Sequence, residues 1–503
     1  MPQVCTIGID VGTTSVKVIA VDGHGEQVSY HKVVIPIHHT DAGGAEQEAP
    51  IVYEAVMQAL QVVVNDVAGK FAVGQIGFSA AMHSVLAVDA SGAPLSSAWT
   101  WMDLRAKEQS ARLWSNPEGE EMYRRTGTPI HPMTMAMKLL WMREQAPEML
   151  HRATKFVSLK EWIWFRWFGL WQIDESMAST TGLYATRTST WDDLAISLVG
   201  VKPQQLSEIV PTTYCTQVAH SPVLRDLGLG SETDVNIGAT DGVLANLGVG
   251  AVTPETMVIT VGTSCALRVT VDRPATHAET RSFCYVLDNG KYVIGGPSNS
   301  GGVAVERMYR QVMGGMTEAE LAVNLNKALQ EAGDVDTGHL LCMPYVAGER
   351  APLWNPDASA AWIGVELHHQ PVHLLRAVVE GILYNAYWIA TGLFEQTGKP
   401  QRLMASGGLL EVEWIRRTLA DVFGIPVEYY DEGDASSVGA AMLAEIAAGK
   451  RTWGDLGLDD QEQTRHNPDP VRHEAHLAKF ERFKKTVMAL GLMTEAHFAA
   501  EGR

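Results

Sequence analysis

One pattern constrains this chain more than any other, because it occurs twice: an apolar, β-branched run, a tight turn of glycine and hydroxyl residues, and a second apolar run. Residues 4–9 lead into Asp10-Val11-Gly12-Thr13-Thr14-Ser15, and residues 16–21 resume the apolar character. Far along the chain, residues 258–261 lead into Gly262-Thr263-Ser264, and residues 265–270 follow in the same way. Runs joined by so short a turn pair antiparallel, since a parallel return needs a crossover of a dozen residues or more. Each copy therefore reads as a β-hairpin, and two related hairpins predict two lobes.

The flanking sequence extends both. A turn at Asp22-Gly23 leads into residues 26–35, which makes an antiparallel meander of the opening strands. Apolar residues at 52, 56, 60, 63 and 67 follow the helical period, and residues 76–78 return to strand character, so the first lobe is α/β. The lobe boundary is expected near residues 248–256, giving an N-terminal lobe over 1–250, a C-terminal lobe over 251–450 and a helical tail over 451–503. The 503 residues suffice for two lobes with separate cores. In the tail Leu477, Phe480, Phe483, Val487 and Leu490 form an apolar stripe that should dock on the second lobe. The aromatic stretch 161–171 places residues 162, 165 and 168 on one helical face and reads as core; its length and Arg166 exclude a membrane span.

Charge and cysteine usage narrow the partners. With 39 Lys+Arg against 58 Asp+Glu, the formal charge of −19 argues against nucleic acid. Five scattered cysteines without a Cys-x-x-Cys pair indicate neither a disulfide framework nor a zinc site. There is no basic leader followed by an apolar stretch and no apolar run of ~18 residues. The expected partner is a small molecule, not a membrane, in a cytoplasmic setting; a homodimer through a lobe face stays open.

The turns carry the chemistry. In the first, Gly12 permits a tight bend while Thr13, Thr14 and Ser15 offer hydroxyl and amide donors to polyphosphate oxygens, without the spacing of a Walker loop. Asp10, ending a buried strand, suits Mg²⁺ held through water, and Lys17 adds a point charge. Such residues also cap ordinary β-turns. The second turn, with Gly262 and Thr263, favours a phosphate chain clamped between two lobes. Asp241, between glycines after a strand, is the candidate general base for phosphoryl transfer to a hydroxyl and a second carboxylate near Mg²⁺; capping a helix that starts at Gly242 is the alternative. Ser300-Gly301-Gly302 and Ser406-Gly407-Gly408 let backbone approach a flat base. Met82, His83, Trp101, Asp103 and Arg105 suit a polyol. Against this, His83 would serve as a satisfied buried histidine and Asp103 with Arg105 as a structural ion pair.

In this order the residues resemble the FGGY family of carbohydrate kinases, over roughly residues 4–445. The long second signature of that family is met by Ala360-Ala-Trp-Ile-Gly364 and His373-Leu-Leu-Arg-Ala377-Val-Val-Glu380, and the first by Lys138-Leu-Leu-Trp141-Met-Arg-Glu-Gln145, except that Met135 stands where Pro, Ser or Thr is usual. The resemblance implies an α/β fold of two actin-like (ribonuclease H-like) lobes with a cleft between them, and ATP with Mg²⁺. It implies Asp241 as base, Asp10 and Thr13 in the metal-phosphate hairpin, Gly262 and Thr263 as second phosphate contact, Gly302, Gly407 and Gly408 at the nucleotide, and Met82, His83, Trp101, Asp103 and Arg105 at the sugar. Residues 79–84, 123–133, 295–297 and 345–354 resemble the branch acting on D-gluconate, which implies 6-phospho-D-gluconate as product; xylulose, ribulose or a tetronate are neighbouring specificities, and a non-catalytic actin-like binding protein is the other class. A sugar acid requires a cation, for which Arg105, Arg125, Lys138 and Arg350 are candidates. Glu411 and Val412 stand where many relatives carry Arg-Ser.

Overall fold

In a computed structural model, which describes residues 3–288, 290–314, 317–430, 433–456 and 464–493, both hairpins form. Gln3–Val11 pairs antiparallel with Ser15–Asp22, in a register that sets Asp10 opposite Lys17. Gln27–Val34 completes the meander. The helix Ala49–Val67, with residues 52, 56, 60, 63 and 67 all buried, then carries the chain across to Phe71–Ala80, which runs parallel to Gln3–Val11. Asp234–Thr240 adds a second parallel strand, and Cys215–Gln217 closes the edge of a six-stranded sheet.

The second lobe repeats the order. Thr256–Val261, Cys265–Val271 and Lys291–Ser298 pair antiparallel, and Arg402–Ser406 and then Val427–Tyr429 add parallel strands on the other side. Its crossover is the long helix Pro371–Thr397, and edge strands bring the sheet to seven. In both sheets the turn of the first hairpin and the ends of the neighbouring parallel strands lie along one rim, so the chemistry-bearing turns collect there.

The lobes interlock where they meet. The helix Ala435–Ala447, from the second half of the chain, lies against the first sheet, and glycine makes the contact close: a Cβ on Gly8 would sit 1.9 Å from the Ser437 carbonyl oxygen, and one on Gly77 1.9 Å from that of Ala440. The same helix crosses Asp241–Gly248, where a Cβ on Gly439 would sit 2.0 Å from the Leu244 carbonyl oxygen.

Two expectations shift in detail. The aromatic helix Leu159–Phe168 buries Trp162, Ile163, Trp164 and Trp167, whereas Phe165 and Phe168 are only partly covered. Phe165 stacks on Trp171 at 3.9 Å instead. A helix apolar nearly all round carries no period that selects one face. In the C-terminal helix Pro470–Ala489, Phe480, Phe483 and Val487 enter the second core, but Leu490 lies past the helix end and is 45% exposed. Among the described residues no helix is long and apolar enough to cross a membrane.

Candidate active site

At the rim of the first lobe, the Gly12 N–H donates to the Ser15 carbonyl (3.0 Å) and closes the turn. Asp10 is buried and accepts a hydrogen bond from the Ser79 hydroxyl at 2.8 Å. Burial pushes its carboxyl above the ordinary value, against the pull of Ser79 and Lys17. The Lys17 ammonium reaches across to the Asp434 carboxylate (3.3 Å) and the Gly433 carbonyl (3.1 Å), and these groups line a recess of about 190 Å³ with Asp10 and Ser436.

Asp241 opens the helix Asp241–Gly248 directly after its strand, and its Oδ1 accepts the Gly242 N–H at 2.7 Å. Burial pushes the carboxyl up to about 7, and the neighbouring Asp10 adds to the rise; the Gly242 amide and Arg268 oppose it. A carboxyl that titrates near neutrality can take a proton from a hydroxyl and release it again.

On the second lobe the turn is built from backbone. Gly302 and Val303, at the start of the helix Gly302–Met313, donate their N–H groups to the Gly262 and Thr263 carbonyls (2.7 and 3.1 Å). Gly407 holds φ at 99°, and a Cβ there would lie 2.5 Å from the Val261 carbonyl oxygen. A pocket of about 610 Å³ opens beside these turns, walled by Gly302, Gly408, Glu411 and Val412 and, opposite, by Leu325 and Gln330. That opposite wall is the helix Glu318–Glu331, which sequence reasoning passed over. Its signal was present: the capping pair Thr317 and Glu320, followed by Leu321, Leu325 and Leu329 at helical spacing.

The sugar-side candidates divide into two groups. Met82 stands beside the base, its Cε 3.0 Å from where a Cβ on Gly242 would be. The Trp101 indole N–H donates to the Thr13 hydroxyl oxygen at 2.9 Å. His83, with φ of 68°, is buried, and its ring is held between the Thr180 carbonyl (Nδ1, 2.9 Å) and the Tyr285 hydroxyl (Nε2, 3.4 Å). Burial lowers its pKa to about 3, so the ring is neutral, with Nδ1–H donating to Thr180. Asp103 is fully buried and gripped by Arg105 through Nε (3.0 Å) and Nη2 (2.5 Å), while Arg105 also binds Glu46 at 2.7 Å and lies 3.5 Å over the Trp99 ring. Asp103 and Arg105 are thus engaged with each other and with Glu46 in the first lobe, while the His83 ring bridges Thr180 of the first half and Tyr285 of the second.

Between the lobes lies a cavity of about 490 Å³, lined by Trp101, Ile130 and His131 from the first half and Thr263, Arg350 and Trp354 from the second. This is the size of a small-ligand site. Of the four candidate cations, Arg105 is paired and Arg125 binds Asp192 at 2.7 Å. Lys138 is buried with its ammonium on the carbonyls of His83, Thr100 and Met133 (2.6, 2.7 and 2.8 Å), burial lowering its pKa to about 7. Arg350 alone of the four lines the cavity; it donates to the Asn299 side-chain oxygen (2.7 Å) and the Ser298 carbonyl (3.1 Å), both neutral, and lies 5.5 Å from the Trp101 ring centroid. Its neighbour Glu349 went unnoticed in the sequence: buried, it accepts from the Ser298 and Ser300 hydroxyls (2.9 and 2.6 Å) and so braces the turn behind the second hairpin.

Comparison with known proteins identifies the family and the fold. The model of the FGGY family of carbohydrate kinases, N-terminal domain, matches residues 5–248, and that of its C-terminal domain matches residues 257–448. The chain belongs to the FGGY family of carbohydrate kinases and is an ATP-dependent sugar kinase of two actin-like lobes. It is 35% identical over 470 residues to the gluconokinase of Bacillus subtilis, covering 92% of this chain and 91% of the relative. The crystal structure of gluconate kinase from Lactobacillus acidophilus superposes with a TM-score of 0.89 at 30% identity over 99% of this chain and 100% of that one. A ligand-bound xylulose kinase from the same organism gives 0.89 at 31%, over 97% and 98%.

Proposed function

We propose that the protein transfers the γ-phosphoryl group of ATP to the terminal hydroxyl of D-gluconate, giving 6-phospho-D-gluconate. The observation that carries the phosphoryl transfer is Asp241, a half-buried residue at the rim of the first sheet whose carboxyl is raised to about 7. The gluconokinase relative at 35% identity supports the acceptor.

In this reading the base of ATP occupies the pocket beside Gly302, Gly407, Gly408, Glu411 and Val412. The phosphate chain runs between Gly12-Thr13-Thr14 and Gly262-Thr263, with Lys17 adding positive charge. Among the described residues no cluster of three or more His, Cys, Asp or Glu is placed to hold a metal, but Asp10 raises the proton affinity of Asp241, and two such carboxylates beside a phosphate chain match the one or two that Mg²⁺ takes. Bound there, Mg²⁺ would neutralise charge on the phosphates. Asp241 accepts the proton of the attacking hydroxyl, so that an O–P bond forms to the sugar as the bond to ADP breaks. His83, Asp103 and Arg105 hold the wall that carries Met82 and Trp101, and Arg350 offers the cavity a cation for an acidic substrate. Closure of the lobes would exclude water from the reacting group.

A second reading, a kinase of xylulose, rests on the equal superposition with the xylulose kinase. Mg²⁺- and ATP-dependent phosphorylation of D-gluconate, D-xylulose, L-ribulose, glycerol and D-erythronate separates the two. Preference for D-gluconate is expected; preference for another compound removes gluconate and leaves the sugar kinase standing.

A further inference from the structure

The Trp101 indole does more than line the sugar cavity. A threonine hydroxyl has one proton to donate and two lone pairs, whereas an indole N–H only donates. The 2.9 Å contact therefore places the Trp101 proton on a lone pair of the Thr13 oxygen and turns the hydroxyl's own proton elsewhere. No acceptor for that proton is found among the described residues. The residue is also fixed from behind, since its carbonyl accepts from the Gln47 side-chain amide at 2.9 Å. Thr13 and Trp101 share the wall of a small recess with Met82, while the Trp101 ring forms part of the larger cavity opposite Arg350. Thr263, the counterpart on the second hairpin, has no such orienting donor among the described residues; its carbonyl accepts from the Val303 N–H.

We propose that Trp101 is a positioning residue: it fixes the Thr13 hydroxyl as a donor to the phosphoryl group in transfer, and so couples occupancy of the sugar cavity to phosphate placement. The inference rests on the kinase reading of the cleft but not on gluconate as the acceptor.

A double-mutant cycle tests it. Trp101→Phe keeps an apolar ring and removes the N–H, and Thr13→Val removes the hydroxyl. With the best acceptor of the panel at saturation, Thr13→Val should lower kcat by about 10²-fold, as loss of a transition-state donor does. Trp101→Phe should lower it by about 3- to 10-fold, as loss of one neutral hydrogen bond does. The double variant should be no slower than Thr13→Val alone, and in a Thr13→Ser background, where the hydroxyl survives, Trp101→Phe should again be costly. The ratio of acceptor-independent ATP hydrolysis to transfer should rise in Trp101→Phe, a change that a purely structural role would not produce. Effects that multiply in the double variant, or an unchanged hydrolysis ratio, overturn the proposal and leave Trp101 as cavity wall. Should Trp101→Phe melt early, replacement of Trp101 by benzothienylalanine, which exchanges the N–H for sulfur at constant shape, completes the same cycle. A wild-type chain that phosphorylates no member of the panel would overturn the kinase reading and this inference together.

Discussion

The turn at Gly12 and the turn at Gly262 occupy the same place in two sheets of the same strand order, yet their surroundings differ. Around the first stand Asp10, Lys17 and Asp241, with two carboxyls pushed up by burial. Around the second stand the glycines 301, 302 and 407, so close that a Cβ on Gly301 would sit 2.8 Å from the Gly262 carbonyl oxygen, and the nearby carboxylate of Glu349 is enclosed by hydroxyls and amides. A duplicated fold here divides the work. One lobe handles protons and charge, which requires ionisable groups in a low-dielectric site, while the other reads a ligand by close approach of backbone, which requires the absence of side chains.

Replacing the base should break the comparison most. Asp241→Asn keeps the shape and can still accept the Gly242 N–H, but it cannot take a proton; turnover should fall by about 10²- to 10⁴-fold with acceptor affinity nearly unchanged. Steady-state kinetics with isothermal titration of the acceptor checks this, and wild-type turnover would remove Asp241 from the role. The matching change in the second lobe is Gly407→Ala. An alanine held at φ of 99°, with its Cβ 2.5 Å from a backbone oxygen, has to move the turn. The KM for ATP should rise by about 10-fold and the melting temperature should drop by about 2–4 °C for each kcal/mol lost. Gly262→Ala is the control for fold: its Cβ would meet nothing within 4 Å, so the melting temperature should hold. If both alanines melt alike, close backbone contact is not what distinguishes this lobe.

The same contrast explains what could be read from the residues. Hairpins, the meander and the Ala49–Val67 helix follow from local periods of two and 3.6, which a chain displays openly. Contacts through glycine are different. That Gly8 and Gly77 admit the helix Ala435–Ala447 onto the first sheet depends on positions more than 350 apart, by residue number, and no period marks it. Asp103 and Arg105, read as candidates for a polyol, turn to each other because a buried charge without a partner is unfavourable and Glu46 and Ala45 lie within reach. The second family signature teaches a related point. Glu380, its last residue, binds Lys479 at 2.7 Å and Arg376 at 3.0 Å, tying the C-terminal helix to the crossover helix, so the helical half of the most diagnostic motif builds the core, and the motif lines neither the pocket beside Gly302 nor the cavity between the lobes.

The smallest effect expected is in the pH dependence of stability, and it bears on Asp241 and the Asp10 carboxyl coupled to it. Its folded pKa of about 7 lies above the ordinary 3.8 because burial penalises the charge. Between these values the native chain holds a proton that the unfolded chain has released, so this group's contribution to stability is full below about pH 4 and is lost as pH rises through about 7. Other groups titrate too: burial also raises Glu349 and lowers His83. Subtracting the melting curve of Asp241→Asn from that of the wild type cancels these two and leaves Asp241 together with the Asp10 carboxyl coupled to it. The Asn variant should melt close to the wild type near pH 4 and a few degrees higher at pH 8, and in the wild type kcat/KM should climb about tenfold per unit below pH 7 before levelling. A melting difference that does not change between pH 5 and 8 would put the Asp241 carboxyl at its ordinary value, and with it would go the feature that most separates the first lobe's rim from the second.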